Sequence, residues 1–147
     1  MKNKTIKLIV ILVIILIIID QASKILVSNF VTESMGNEIF KLEITNNTGM
    51  AFGFNDGNNK NIILTIFVLA IIISFIKNQL ERIDNKTAVS ISLVLGGACS
   101  NLIDRFFRGS ILDFIKIYKL PNFNLADVFI IVGWILIIIF LVDFTRK

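Results

Sequence analysis

The chain has 147 residues, of which 55% are hydrophobic, and its mean hydropathy is +0.81. Soluble domains have an apolar share of roughly 45–50%, so this composition and the long apolar runs exclude an ordinary soluble domain and indicate a membrane protein. We predict a single membrane-embedded domain over residues 1–147, with no residues left for a separate soluble one.

The residue types that are absent also restrict the chemistry. The formal net charge is +4, but the basic residues flank apolar runs, so membrane topology explains the charge better than nucleic-acid binding does. The chain has no histidine, which excludes Ser–His and Cys–His catalytic pairs and a histidine-ligated metal; we expect neither metal nor cofactor. The lone Cys99 excludes an internal disulfide. Acid–base catalysis must therefore use Asp, Glu, Lys or Tyr.

The first apolar stretch predicts a transmembrane helix over residues 6–27. The Leu8–Ile19 run imitates the apolar core of a signal peptide, but no clear small-x-small cleavage site follows, and the apolar pattern resumes at residue 25. About 20 helical residues cross the roughly 30 Å core of a bilayer. Asp20 and Lys24 are four residues apart and can pair on one helix face. Spacing alone leaves open an interfacial ion pair or a part in a site.

Residues 28–60 are polar and predict a small sheet against the membrane. Apolar and polar side chains alternate from Phe40 to Thr45, which is the period-two pattern of a strand. The stretch from Asn46 to Gly49 is typical of a turn, and residues 50–59 continue as a short apolar segment and a loop.

The rest of the chain predicts three further transmembrane helices, at residues 61–76, 87–106 and 128–144. Small and polar residues interrupt the middle one. Gly97, Asn101 and Arg105 stand at i, i+4 and i+8 and share one helix face. Since lipid cannot satisfy polar groups, this face must look into the bundle or a wet cavity.

The basic residues favour four spans with both termini in the cytoplasm. The N-terminal tail, the 77–86 loop and the C-terminus are rich in Lys and Arg, whereas the 28–60 loop has only Lys41 and Lys60. The outer segment 107–127 carries basic residues too and weakens this assignment, but the first loop and both tails outweigh it.

Two aspartates of the outer segment are the predicted catalytic pair. Apolar residues surround Asp113, and a desolvated carboxyl there would have a raised pKa. Asp127 begins the last span, where a carboxylate has a plain structural explanation as a helix N-terminal cap. Two carboxyls in a partly dry site tend to share a proton, so that one acts as general base toward water and the other as general acid. Asp104, beside the polar helix face, is predicted to be structural.

Five motifs follow one another in the order and with the spacing found in the bacterial lipoprotein signal peptidases (signal peptidase II), which this chain resembles over essentially its whole length. The motifs are Asp20-Gln21-x-x-Lys24, Asn47–Phe52, Gly96–Arg105, Leu112–Ile115 and Phe123–Asp127. The departures are Met50 in place of Ala, Ser100 in place of Gly and Val128 in place of Ser. None of them removes an ionisable group.

The resemblance implies an all-α integral membrane fold, with four transmembrane helices, a small extracytoplasmic β-sheet and a mobile outer helical segment. It implies an aspartic endopeptidase that cleaves prolipoproteins N-terminal to a cysteine carrying a diacylglyceryl group. The family's catalytic aspartates fall on Asp113 and Asp127. Its other motif positions, which shape the site or hold substrate, fall on Asp20, Lys24, Asn47, Gly97, Asn101, Arg105, Asn124 and Ala126.

The resemblance also implies a cellular setting. The protein is expected to be a multi-pass monomer of the bacterial cytoplasmic membrane, surrounded by lipid, with its active site toward the outer leaflet. Globomycin-type peptide antibiotics are expected to inhibit it.

Two alternatives belong to other functional classes. A small transporter or channel would use the charged residues along an ion path, but should then place polar groups in several spans and at both leaflets, whereas here they cluster on one side. A membrane scaffold would explain the small residues through helix packing, but not five separated polar motifs.

Overall fold

The computed structural model describes residues 2–49, 58–79 and 83–145. The predicted segment at 50–57, part of the charged 77–86 connection and the basic residues 146–147 lie outside the described residues. The elements, in chain order, are α1 Lys2–Phe30, β1 Met35–Gly36, β2 Phe40–Asn47, α2 Asn58–Gln79, α3 Asn85–Arg108, β3 Ile111–Ile117 and α4 Leu125–Thr145.

A helix covers each of the four predicted spans and extends beyond it at both ends. Among the described residues, two helices are long and apolar enough to cross a membrane, Asn3–Phe30 and Asn85–Arg108, while Thr65–Asn78 and Leu125–Phe140 are shorter apolar helices. The crossing of the membrane by all four helices therefore stays a prediction.

The helix α3 is the centre of the bundle, because it packs against α1, α2 and α4. It begins after Asp84, whose side chain accepts a hydrogen bond from the Thr87 backbone N–H, and ends at Gly109 in the left-handed conformation. Large side chains of α1 such as Ile11 and Ile18 are exposed, as expected for a surface that faces lipid. The polar residues of α3 are turned inward, as its sequence predicts.

The two halves of the bundle differ in chemistry. One half is an apolar core in which α1, α2 and α3 meet, formed by Ile9, Leu69, Ala88, Ile91 and Leu95. The other half, toward the C-terminal end of α3, buries polar and charged side chains. The sheet joins the bundle at this polar end.

The sheet has three antiparallel strands in the order β1-β2-β3. The strand predicted from Phe40 to Thr45 is confirmed as part of β2. The strand continues through Asn46 and Asn47, which were predicted to lie in a turn. The outer segment between α3 and α4, for which the sequence predicted no strand, contains the strand β3. Its first four residues are all buried, so the alternation that would have revealed a strand is missing. The described part of the outer segments contains strands, and the implied outer helix is not among those residues.

Candidate active site

Pairing of β2 with β3 carries Asp113 into the polar end of the bundle. The register places Thr45 opposite Asp113, and the carboxyl side chain is buried, with 1% of the residue exposed. Asn47, at the end of β2, donates from Nδ2 to Asp113 Oδ2 at 2.9 Å. Asn124, just before α4, donates from Nδ2 to Asp113 Oδ1 at 2.7 Å. Both carboxyl oxygens are thus held by amide donors.

Asp127 lies in the first turn of α4 and forms a reciprocal cap with Asn124. The Asp127 backbone N–H donates to Asn124 Oδ1 at 3.0 Å, and the Asn124 backbone N–H donates to Asp127 Oδ2 at 3.3 Å. The plain explanation of Asp127 as part of a helix cap is therefore correct for one of its oxygens. The other oxygen, Oδ1, accepts a hydrogen bond from Asn101 Nδ2 at 2.8 Å, so the same carboxyl also faces the polar side of α3.

Two asparagines join the two carboxyl groups. Asn124 Nδ2 contacts Asn101 Oδ1 at 3.1 Å, and the same Nδ2 reaches Asp113, while Asn101 Nδ2 reaches Asp127. The connection Asp113–Asn124–Asn101–Asp127 brings together residues from β3, the α4 cap and α3. The carboxyl groups of Asp113 and Asp127 are thereby joined in one hydrogen-bond network.

Burial raises the pKa of Asp113 from its ordinary value of 3.8 to about 6. The hydrogen bond from Asn47 lowers this pKa, the nearby Asp127 carboxyl raises it, and the bond from Asn124 lowers it again. Asp113 keeps its proton until about pH 6 and lies near a second carboxyl, that of Asp127. Two carboxyls with these properties can act as an acid–base pair.

This raised pKa predicts that Asp113 makes folding less favourable as pH rises. Between about pH 4 and pH 6 the unfolded chain has released the Asp113 proton while the folded chain still binds it, so the free energy of unfolding falls as pH rises through this window. Asp113→Asn removes the titration. The measurement is the difference in unfolding temperature in detergent, variant minus unmodified protein. This difference should increase from pH 4 to pH 6.5 and then level off.

The exposed sheet carboxyl Glu43 provides the control for this measurement. Its hydrogen bond with Lys41 lowers its pKa, so Glu43→Gln should not reproduce the increase. A difference for Asp113→Asn that stays constant from pH 4 to pH 7 would contradict the raised pKa.

Asp20 and Lys24 do not form an interfacial ion pair, because neither side chain is exposed. Lys24 Nζ lies 2.6 Å from Asp20 Oδ2 and 2.7 Å from Asp104 Oδ2, and all three side chains have 0% exposure. Lys24 Nζ also donates to Asn101 Oδ1 at 3.1 Å. These residues lie directly beside the carboxyl pair and contact it through Asn101.

Three contacts of this buried cluster were not predicted from the sequence. Gln21 Nε2 donates to Ser100 Oγ and to Asp104 Oδ1, both at 3.0 Å, and Ser100 Oγ donates to Asp20 Oδ2 at 2.7 Å. The available signals were the position of Gln21 between Asp20 and Lys24 and that of Ser100 next to Asn101.

The remaining predicted site residues lie around the carboxyl pair and the buried charged cluster. Arg105 Nη2 donates to the Gly49 carbonyl at 3.1 Å, and the buried Arg105 Nε has no hydrogen-bond partner within the described part of the chain. The backbone N–H of Ala126 donates to Asp20 Oδ1 at 2.8 Å. Gly97 lies against the Ala126 carbonyl, where a Cβ atom would not fit. All ten predicted site residues thus lie at one end of the bundle, and among the described residues no group of three or more His, Cys, Asp or Glu is placed to hold a metal ion.

A family model described as signal peptidase (SPase) II matches residues 12–143. The chain belongs to the signal peptidase II family. The members of this family are proteases of lipoprotein processing. The family predicted from the five motifs is therefore confirmed.

Relatives in the signal peptidase II family match along most of their length. The lipoprotein signal peptidase of Caldicellulosiruptor bescii is 34% identical over 128 residues, covering 85% of this chain and 83% of the relative. That of Symbiobacterium thermophilum is 34% identical over 147 residues, covering 94% and 96%.

Solved structures show the same fold. A bacterial membrane enzyme determined by the in meso method has a TM-score of 0.81 at 30% identity, covering 93% of this chain and 88% of that one. A second in meso structure of a bacterial membrane enzyme has a TM-score of 0.77 at 30% identity, covering 90% and 91%. The chain is therefore an integral membrane protein with a helical membrane-enzyme fold and a small antiparallel sheet.

Proposed function

We propose that this chain is an intramembrane aspartic endopeptidase that removes the signal peptide from diacylglyceryl-modified prolipoproteins, cleaving N-terminal to the lipidated cysteine. The observation that carries the proposal is the pair formed by the buried Asp113 and the partly buried Asp127, joined through Asn124 and Asn101, in a signal peptidase II family member. The absence of histidine from the sequence leaves carboxyl chemistry as the most economical route to hydrolysis.

The reaction would use a water molecule held between the two carboxyl groups. One carboxylate takes a proton from the water as its oxygen attacks the scissile carbonyl carbon. The other, protonated, donates a hydrogen bond to the carbonyl oxygen and then transfers its proton to the leaving amine as the C–N bond breaks, so the two carboxyls end with their protonation states exchanged. The proton belongs to the coupled pair rather than to Asp113 or Asp127 alone. The raised pKa of Asp113 supports a pair that holds one proton up to about pH 6.

The surrounding residues would orient the pair and the substrate. Three amide side chains hold the carboxyl oxygens by hydrogen bonds of 2.7–2.9 Å. Asn47 and Asn124 donate to Asp113, and Asn101 donates to Asp127. Arg105 Nε, which has no partner among residues 2–49, 58–79 and 83–145, would be a buried donor for the peptide backbone of the substrate. Gly97 and Ala126 allow the start of α4 to approach α3 closely.

The membrane arrangement follows from the same proposal. All four helices span the cytoplasmic membrane within one domain, both termini are cytoplasmic, and the sheet and carboxyl pair lie toward the outer leaflet. The signal helix of the precursor would lie among the spans with its lipid tails in the outer leaflet. The enzyme would act as a monomer and be inhibited by globomycin-type peptides.

The decisive test compares one precursor in two forms, with and without the diacylglyceryl group on its cysteine. The purified protein in detergent should cleave the lipidated form at the bond before the cysteine and leave the unlipidated form intact. Mass spectrometry of the products gives both the rate and the position of the cut.

A precursor with Ser in place of this cysteine is the matched control, because it cannot be lipidated and should remain uncut. Equal cleavage of the lipidated and unlipidated precursors would refute the substrate assignment. Absence of any cleavage, together with charge-dependent ion flux in liposomes, would instead favour the transporter alternative.

A further inference from the structure

The cation Lys24 lies between two buried carboxylates. Its Nζ atom is 2.6 Å from Asp20 Oδ2 and 2.7 Å from Asp104 Oδ2, with no exposure of any of the three side chains. We call Asp20, Lys24 and Asp104 the buried triad. Arg108 Nη1 contacts Asp104 Oδ1 at 2.6 Å and is 35% exposed, so two cations balance two anions and the cluster is formally neutral.

Each carboxylate of the triad also accepts a backbone N–H. Asp20 Oδ1 accepts from the Ala126 N–H at 2.8 Å, and Asp104 Oδ2 accepts from the Leu112 N–H at 3.3 Å. Ala126 immediately precedes Asp127, and Leu112 immediately precedes Asp113. The backbone before each member of the proposed catalytic pair is therefore anchored to the same lysine through one intervening carboxylate.

We infer that the buried triad is a positioning device, in which Lys24 sets the separation of Asp113 and Asp127 by fixing the two backbone segments that carry them. Lys24 also holds Asn101 Oδ1 at 3.1 Å, which directs Asn101 Nδ2 toward Asp127 Oδ1 at 2.8 Å. This role deepens the proposed function and rests on it, because it concerns the geometry of the same carboxyl pair.

The energetics of buried charges argue against packing as the main role of the triad. A buried ion pair is often no more stabilising than well-packed apolar residues of similar volume, since each charge loses its hydration. The triad instead connects α1 and α3 to the first turn of α4 and to β3. Such a connection matters when two reacting groups must be held closely, since a displacement of about 1 Å can lower the rate by roughly a hundredfold.

The first experiment compares Asp104→Asn with Asp104→Leu. Both variants remove the charge and keep four side-chain heavy atoms branched at Cγ, but only Asn retains an oxygen that can accept the Leu112 N–H. On the lipidated precursor, we expect the kcat of Asp104→Leu to be at least tenfold lower than the kcat of Asp104→Asn. The KM values of the two variants should agree within twofold. A general packing role would instead give equal kcat for the two variants when their unfolding temperatures are equal, and that result would overturn the inference.

The second readout is amide hydrogen exchange, which does not depend on activity. Asp104→Leu should speed exchange of the Leu112 amide more than that of Ala126, and Asp20→Leu should do the reverse. Unchanged exchange at both amides in folded variants would overturn the inference. If Asp113→Asn or Asp127→Asn keeps turnover, the proposed function fails instead, and amide exchange still tests the anchoring itself.

A second pair of variants covers the case in which Asp104→Leu does not fold. Lys24→Met/Asp104→Asn and Lys24→Gln/Asp104→Asn both leave one anion, Asp20, and one cation, Arg108, so the cluster stays formally neutral. Of the two replacements of Lys24, only Gln can donate to Asn101 Oδ1. The Gln variant should have a kcat at least threefold higher than the Met variant. Equal kcat values would show that the donor at position 24 does not position the site.

Discussion

Asp113→Asn and Asp127→Asn should each lower kcat on a lipidated precursor by about 10³-fold or more. An amide can neither take a proton from water nor donate one as a carboxylic acid does, and a positioned acid or base contributes roughly 10²–10⁴-fold each. Since the two carboxyls act as a unit, the double variant should be hardly slower than either single one. The measurement is single-turnover cleavage in detergent, with circular dichroism to establish that each variant is folded.

Glu43→Gln is the matched control for these variants. Glu43 is a carboxylate of β2, the strand that pairs with the strand of Asp113, but its side chain is 37% exposed and paired with Lys41. Its conversion to an amide should leave kcat within twofold of the unmodified protein. Near-normal turnover by a folded Asp113→Asn or Asp127→Asn variant would show that the assigned pair does not perform the reaction.

The helices and the identities of most site residues could be predicted because their signals are local. Long apolar runs identify helices regardless of what they pack against. The i, i+4, i+8 spacing of Gly97, Asn101 and Arg105 indicated an inward polar face, and these residues are buried or face the site in the structure. Asp113 was recognisable as a carboxyl among apolar neighbours, which is also why burial raises its pKa.

The strand β3 and the buried triad could not be predicted because they depend on tertiary contacts. A strand buried on both faces lacks the alternation that reveals β2, as the first four residues of β3 show. In the sequence, the end of α1, the strands β1 and β2, α2 and most of α3 lie between Lys24 and Asp104. Only the packing of α1 against α3 brings the two residues together. The four-residue spacing of Asp20 and Lys24 predicted their pairing, but not whether water or protein would surround it.

The other large effect is expected at Gly97, where α3 approaches the first turn of α4. A Cβ atom at this position would overlap the carbonyl oxygen of Ala126 and lie 2.8 Å from Ile130 Cγ1. A backbone carbonyl in a helix cannot turn aside as a flexible side chain does, so Gly97→Ala must displace the turn that carries Asp127. We expect a loss of kcat of roughly a hundredfold and a loss of unfolding free energy of about 1–3 kcal/mol.

A second substitution separates the two contacts made by this Cβ atom. Ile130→Ala removes the side-chain contact but leaves the Ala126 carbonyl in place, so Gly97→Ala/Ile130→Ala should remain nearly as slow as Gly97→Ala. Cys99→Ala, a small change two positions further along α3, should leave kcat nearly normal. Recovery of activity in the double variant would show that the obstruction is the side chain of Ile130 and not the Ala126 carbonyl. The carboxyl of Asp127 would then stay in place even if the start of α4 shifts.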